Sequence, residues 1–246
     1  MRYELYYWPS IHYWPSIQGR GEFVRLALEE GAAEYVDVAR APEPGGGVPA
    51  LLRFLDGETI PHPPFAPPFL RAGKRVIGQT ANILLFLAPR HGLVAASEAG
   101  RLWAHQLQLT IADLVLEAHD THHPISVGLG YEEQRREARR RAADFVASRA
   151  PKYLEYFEQV LLRSDRYLTG NRLSYPDLSL FQVVAGLRYA FPRATARLEK
   201  DRPRIVALHD RVAARPRIAS YLASERRIPF NRQGIFRHYT ALDAQA

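Results

Sequence analysis

The chain of 246 residues contains no cysteine. This excludes disulfide scaffolds, zinc–thiolate sites and redox pairs of the Cys-X-X-Cys type. Long apolar runs are also missing: none approaches the roughly 18 residues that a membrane span requires, and the N-terminus shows no signal-peptide core. We therefore expect a cytoplasmic protein without a membrane partner, in which any sulfur chemistry comes from a ligand.

Acidic residues are outnumbered, with 26 Asp and Glu against 33 Lys and Arg, and the formal net charge is +7. Such a charge attracts anionic partners, including nucleic acids. Much of the excess lies in residues 132–141, where arginines alternate with glutamates as on the solvated face of a helix. No nucleic-acid-binding signature accompanies them, so we expect no nucleic-acid partner. A basic helical protein that binds nucleic acid is the competing interpretation.

The most informative stretch runs from Phe65 to Leu87. Pro67-Pro68 precedes a short apolar run, a turn at Gly73 leads into a second run, and Gln79-Thr80 opens a segment with helical apolar spacing. This pattern predicts strand, turn, strand and helix. A cis bond at Pro68 would leave the backbone of Pro67 free to pair with an extended peptide. Thr80 is predicted to cap the helix, whose first amides form an anion site.

The rest of the chain divides into two parts. Residues 3–38 read as strand, helix and strand, which with the stretch above gives a layered α/β unit ending near residue 90. From residue 97 onward the pattern is helical, with long helices at 98–121 and 131–162, the second broken at Pro151. Ser174-Tyr175-Pro176-Asp177 is a capping box that opens a buried helix. We expect two domains, residues 1–90 and 97–246.

Several of these features resemble the glutathione S-transferase family, in its tyrosine-type, bacterial-like form. They are the proline before the third strand, the Gln-Thr pair, and the Ser-X-X-Asp box. The resemblance implies a thioredoxin-like α/β N-terminal domain plus an all-α C-terminal helical bundle. It implies glutathione as co-substrate, held by Pro67, Pro68, Gln79 and Thr80, a hydrophobic electrophile as second substrate, a homodimer, and no metal.

The catalytic donor is ambiguous because Tyr-Trp-Pro-Ser-Ile occurs twice, at Tyr7 to Ile11 and at Tyr13 to Ile17. In tyrosine-type members a hydroxyl at the end of the first strand stabilises the glutathione thiolate. Tyr7 keeps the place at the strand end, whereas Tyr13 keeps the distance to Gly19-Arg20. Ser16 resembles the serine donor of other classes. An alternative function follows: a non-catalytic glutathione-binding or ligand-binding protein whose donor the duplication has displaced.

Two further contacts follow from the resemblance. Asp113 corresponds to a carboxylate that reaches the glutathione amino group across the dimer. Arg40, before a glycine-rich segment, is a candidate for seating the glycyl carboxylate.

A cluster at the end of the first long helix contains His119, Asp120, His122 and His123. His119 and His123 are spaced to share one helix face, which suits zinc, but the cluster lacks the glutamate of an H-E-X-X-H motif. We expect it to line the second-substrate pocket instead.

Overall fold

The computed structural model describes residues 2–9, 16–42, 45–57 and 60–243, and the structural statements below concern these ranges. Tyr13, and with it most of the second copy of the repeated motif, lies outside them.

A mixed sheet of four strands forms the N-terminal part, in the order β2-β1-β3-β4. The strand–helix–strand crossover makes β1 parallel to β2, while β3 pairs antiparallel with both β1 and β4. This is the predicted thioredoxin-like arrangement. The strands are β1 (Tyr3–Tyr6), β2 (Tyr35–Asp37), β3 (Phe69–Ala72) and β4 (Arg75–Gly78).

Helices cover both faces of the sheet and then form the C-terminal bundle, as predicted. The N-terminal part holds α1 (Gly21–Glu30), α2 (Gly47–Leu55) and α3 (Thr80–Leu87). The bundle holds α4 (Glu98–Asp120), α5 (Arg135–Asp144), α6 (Ala150–Leu162), α7 (Tyr175–Ala190), α8 (Pro192–Lys200), α9 (Pro203–Ala213), α10 (Pro216–Leu222) and α11 (Thr240–Asp243). None of the helices in the described ranges has the length and apolarity needed to cross a membrane.

The two sheet faces have separate apolar cores. One face packs against α2 through a cluster that includes Tyr6, Leu51 and Phe69. The opposite face, with Leu5 and Leu70, packs against α1 and α3, and this core continues without interruption into the helical bundle. The shared core fixes α1 and α3 against α7 and α4, and the cleft described below lies where α1, α3 and α4 meet.

The capping box predicted at Ser174 is present and buried. The Asp177 carboxylate accepts hydrogen bonds from the Ser174 amide at 2.7 Å and from the Leu168 amide at 2.8 Å. Burial nevertheless raises the pKa of Asp177 to about 6. Asp177 thus ties the preceding loop to the start of α7, a helix buried on nearly every side.

Two helix predictions need correction. The segment 131–162 is a 3₁₀ turn (Tyr131–Gln134), α5, a π-helical turn (Phe145–Arg149) and α6. The π turn ends two residues before Pro151, because a ring without N–H cannot join the ladder and the preceding turn widens. The helix α8 was not predicted, since its sequence is short and strongly charged.

Candidate active site

A cavity of about 290 Å³ lies between the N-termini of α1 and α3 and one face of α4. Its floor is apolar and comes from both parts of the chain. The lining residues are Arg20, Phe23, Gln79, Thr80, Ala81, Asn82, His105, Gln108, Leu109, Ile111, Ala112 and Val115.

Three polar atoms in this cavity are buried without a hydrogen-bond partner among the described residues. They are Thr80 Oγ1, His105 Nδ1 and Gln108 Oε1. A buried polar group left unpaired costs about 1–3 kcal/mol, so a cluster of such groups is stable only if another polar molecule satisfies it. The donor and acceptor set therefore fits a polar, peptide-like ligand.

The turn that leads into β3 contains the predicted cis bond, between Pro67 and Pro68. The backbone of Pro67 itself is left outside the sheet, whose β3 ladder begins at Phe69. This geometry offers a backbone edge beside the cavity.

The capping prediction for Thr80 is wrong. Gln79 occupies the N-cap position with φ 67°, and no side chain caps α3. The chain must turn sharply from β4 into the helix, and Gln79 makes that turn, so Thr80 is already the first helical residue. The amides of Thr80, Ala81 and Asn82 precede the first intrahelical bond, which Ile83 donates to Gln79. They form an uncapped anion site at the cavity wall.

Tyr7 follows β1 directly, and its hydroxyl lies at the N-terminus of α1. The hydroxyl oxygen accepts a hydrogen bond from the Arg20 amide at 2.9 Å, which leaves its own proton available for donation. The guanidinium of Arg25 lies 5.9 Å from the ring centroid. Burial raises the pKa of Tyr7, so the phenol is protonated at neutral pH. The side chain is only 7% exposed.

Gly19 is the residue that allows this placement. It has φ +48°, and a Cβ added there would lie 1.9 Å from the Tyr7 hydroxyl oxygen. A side chain at residue 19 is thus incompatible with the observed position of Tyr7.

The other candidate donors are less informative. Tyr13 lies outside the described residues. Ser16 is half-buried, and its carbonyl accepts a hydrogen bond from Asn231 Nδ2 at 2.8 Å.

Asp113 and Arg40 lie apart from the cavity. Asp113 is exposed on the outer surface of α4, between the exposed side chains of Leu109 and Leu116. Arg40 donates to the Arg226 carbonyl at 2.9 Å and lies 3.7 Å from Asp37, so its guanidinium is engaged within the chain.

The histidine cluster differs from its predicted form. Helix α4 ends at Asp120, so His123 lies in the following turn and does not share a helix face with His119. The rings still stack, with centroids 5.1 Å apart, because the turn folds back over the helix end. Burial lowers the pKa of His119 to about 4 and lowers those of His122 and His123 as well. No group of three or more potential metal ligands is found in the described ranges.

Sequence reasoning missed the wall that α4 contributes. Gln108, Ile111, Ala112 and Val115 recur at helical spacing, and a polar residue on an otherwise apolar stripe was the available signal. Arg20 was noted only as part of a motif. No local signal marked the C-terminal segment, whose placement depends on distant contacts.

Comparison with known proteins agrees with this geometry. The model of the family described as "Glutathione S-transferase, C-terminal domain" matches residues 119–225. A glutathione S-transferase of Plasmodium falciparum is 21% identical over 217 residues, covering 85% of this chain and 92% of that protein. Glutathione S-transferase P 1 of Xenopus laevis is 24% identical over 215 residues, covering 86% and 90%.

Among solved structures, prostaglandin synthase D of Nilaparvata lugens superposes with a TM-score of 0.68 at 16% identity. The match covers 93% of this chain and all of that one (100%). The fold, the family match in the helical part and relatives that span most of the chain lead to one conclusion: the chain is similar to glutathione S-transferases over most of its length.

Proposed function

We propose that this protein transfers glutathione to a hydrophobic electrophile and that Tyr7 stabilises the attacking thiolate. The observation that carries the proposal is the Tyr7 hydroxyl, which accepts a hydrogen bond from the backbone amide of Arg20, the N-cap of α1 and a residue lining the cavity. In this proposal residues 1–90 hold glutathione and residues 97–246 supply most of the electrophile pocket, and the reaction takes place in the cytoplasm.

Glutathione binding would use the backbone of Pro67 for the cysteinyl unit and the first amides of α3, beside Gln79 and Thr80, for the γ-glutamyl carboxylate. These contacts satisfy the unpaired Thr80 hydroxyl and the free amides of Ala81 and Asn82. The extended peptide would thereby place its thiol towards the N-terminus of α1.

The Tyr7 hydroxyl would then donate its proton in a hydrogen bond to the sulfur. A thiol with a pKa near 8.5 must be shifted by about two units to be ionised at neutral pH, at about 1.4 kcal/mol per unit. One charge-assisted hydrogen bond of roughly 1.5–3 kcal/mol and the positive end of α1 supply that amount. Because burial raises the pKa of Tyr7, the phenol acts as a donor and not as a base.

In the chemical step the thiolate electron pair forms a C–S bond with the electrophilic carbon. On an aryl halide the halide leaves with its bonding pair. On an activated alkene the resulting carbanion takes a proton from water. The apolar residues Phe23, Ile111 and Val115 would exclude water from the electrophile.

We propose that the protein forms a twofold homodimer through the outer face of α4. Leu102 and Leu116 expose 65% and 50% of their surface there, Leu109, at the rim of the cavity, exposes 48%, and Phe65 is 94% exposed beside the proline turn. A second copy would bury this apolar surface, and an isologous arrangement would bring Asp113 of one subunit towards the cavity of the other.

A second candidate is a glutathione-binding protein without transferase activity. The burial of Tyr7 under Gly19 favours it, because a hydroxyl that cannot reach the sulfur has only a packing role.

An ultraviolet titration of bound glutathione distinguishes the two. We expect a depressed thiol pKa in the parent protein and a return towards about 8.5 in Tyr7→Phe. Tyr6→Phe is the matched control, because the Tyr6 hydroxyl donates to Glu4 at 2.8 Å and serves no part of the cavity. A return in Tyr13→Phe alone would transfer the role to Tyr13. An unshifted pKa at saturating glutathione would leave a binding protein.

A further inference from the structure

The C-terminal segment of residues 231–237, here called the tail wall, lies against the turn before α1 and against the end of α4, two elements that border the cavity. Asn231 donates to the Ser16 carbonyl at 2.8 Å, before the start of α1. Farther along, the Ile235 carbonyl lies 2.7 Å from His122 Nε2, just beyond the end of α4. The tail wall thus joins the N-terminus of α1 to the C-terminus of α4.

Two glycines allow close packing between the tail wall and the neighbouring elements. A Cβ on Gly234 would lie 3.9 Å from the Gly19 amide, so the segment lies against the turn that holds Tyr7. On the other side the Phe236 ring lies over Gly186, where a Cβ would be 2.3 Å from it. Because the Arg237 guanidinium donates to the Gly234 carbonyl, it lies near the turn that holds Tyr7.

Arg237, like Arg20 and Arg211, is a half-buried arginine that pairs with no carboxylate in the described part of the chain. Its guanidinium donates to the carbonyls of Gly234 and Gln233, at 2.9 and 3.3 Å, and has no carboxylate within 4.0 Å in the described part of the chain. By contrast, Arg25, Arg215 and Arg227 each pair with a glutamate. Burying a cation without an anion is costly, so an unpaired Arg237 is expected to have an anionic ligand.

Arg20 and Arg237 together place two positive charges near the end of α4. Both charges contribute to lowering the pKa of His119, so both arginines act on the same point at the end of α4. His119 follows Val115 by four residues, on the face of α4 that lines the cavity. The neighbouring carboxylate, Asp120, is 3.4 Å from His119 Nδ1.

We infer that the second-substrate end of the cleft binds an electrophile that carries a carboxylate and that Arg237 binds this group. The inference rests on the proposed transferase function. In the proposed function the γ-glutamyl carboxylate of glutathione binds at the start of α3, which leaves Arg237 for the acceptor. Apolar residues of the cavity would hold the body of the acceptor, and Arg237 its charged end.

A matched pair of substrates tests this inference. Ethacrynic acid is an unsaturated ketone with a carboxylate, and its methyl ester carries the same reactive alkene without the charge. The thiolate adds to the terminal alkene carbon, and the enolate takes a proton from water. We expect the ratio of kcat/KM for acid over ester to fall about 10-fold in Arg237→Gln, which corresponds to about 1.4 kcal/mol.

Arg232→Gln is the control, because Arg232 lies in the same segment but is exposed. We expect the ratio there to equal that of the parent. An unchanged ratio in Arg237→Gln, or an equal fall in Arg232→Gln, would overturn the inference. If Arg237→Gln does not fold, the same ratio is measured in the parent protein as a function of salt. Raising the salt from 0.05 to 0.5 M must then lower the acid-over-ester ratio, because screening weakens the binding of the charged carboxylate and leaves the uncharged ester unaffected. Because glutathione takes part in both reactions, any effect of salt on its binding cancels in the ratio.

Failure of the transferase function itself gives a different result. Neither substrate would then be conjugated, whereas a wrong inference leaves the ester conjugated as well as the acid. In the first case displacement of the fluorescent probe 8-anilinonaphthalene-1-sulfonate measures binding without turnover. Tighter displacement by the acid than by the ester, lost in Arg237→Gln, would support the anion site, and equal displacement would overturn it.

Discussion

The cleft has two unlike walls. Residues 67–82, here called the strand wall, contain the cis-proline turn, β3, β4 and the start of α3, all close together in the chain. The tail wall is held by contacts that span 215 residues, from Asn231 to Ser16, and 113 residues, from Ile235 to His122. In this molecule the features proposed to bind the common substrate are local, whereas those proposed to select the acceptor come from distant parts of the chain.

The largest effect is expected at Gly19, which lies between Tyr7 and the tail wall. In Gly19→Ala the added Cβ would overlap the Tyr7 hydroxyl, and the φ of +48° strains any side chain. We expect kcat/KM to fall about 100-fold, the loss typical of removing one aimed hydrogen-bond donor. Steady-state kinetics with the ester substrate measures it.

Gly73→Ala is the control for backbone strain. Gly73 also has positive φ, +63°, but a Cβ there meets nothing within 4 Å. We expect it to lower the unfolding free energy by about 1 kcal/mol and to keep the parent kcat/KM. Full activity in Gly19→Ala would show that Tyr7 is not the donor.

A smaller effect is expected when the tail wall alone is disturbed. Gly186→Ala lies inside α7, where alanine normally stabilises a helix by about 1 kcal/mol over glycine. Here the Cβ would meet the Phe236 ring, so we expect destabilisation of about 1–3 kcal/mol by overpacking. The acid-over-ester ratio should fall while the KM for glutathione stays constant.

Urea unfolding and the same kinetics check this prediction. Gly128→Ala is the control, because its Cβ would meet only Ser126 Oγ, at 3.5 Å. If Gly186→Ala instead stabilises the protein and keeps the parent acid-over-ester ratio, the tail wall does not select the substrate.

The smallest effect is a pH dependence of stability. His119 has a folded-state pKa of about 4, below its ordinary 6.5, because of burial and the neighbouring charges of His123, Arg20 and Arg237, with Asp120 opposing them. The unfolded chain therefore binds more protons between these values, and stability is lost as pH falls from 6.5 towards 4. We expect His119→Gln to reduce this loss by roughly 1–2 kcal/mol, since each pKa unit is worth about 1.4 kcal/mol.

Asp177 provides a second test, because its contribution to stability changes with pH in the opposite direction to that of His119. Its folded-state pKa of about 6 lies above the ordinary 3.8, so its contribution is present at low pH and lost as pH rises through 6. Asp177→Asn should therefore increase the loss of unfolding free energy on going from pH 7.0 to pH 4.5. Urea unfolding at pH 7.0 and 4.5 measures both variants, and a parallel response of His119→Gln and parent would contradict the assignment.

The sequence predicted the strand wall well because each of its features depends on near neighbours. The proline pair, the glycine turn and the order of strand, turn, strand and helix appear as predicted, as does the box at Ser174. Even there one detail failed: the sharp turn out of β4 made Gln79 the cap, because strand and helix geometry together determine which residue turns.

The position of the tail wall could not be predicted from the sequence, for a physical reason. Arg237 and Ile235 have no helical or strand periodicity, and their positions follow from a notch at Gly186 and from the end of α4. The spacing of His119 and His123 predicted a shared helix face, whereas α4 stops at Asp120 and the chain folds back. Neither result follows from local propensity. The assignments of Tyr7, Tyr13, Asp113 and the glutathione contacts remain predictions.

The docking of Phe236 on Gly186 also concerns the order of synthesis. Residues 231–237 are translated after α1, α3 and α4, which supply the lining of the cavity. Synthesis therefore allows that lining to form first, and the tail wall is added afterwards. Proteolytic clipping before residue 231 is expected to imitate that earlier stage, leaving a cleft open at the end where Arg237 would otherwise lie.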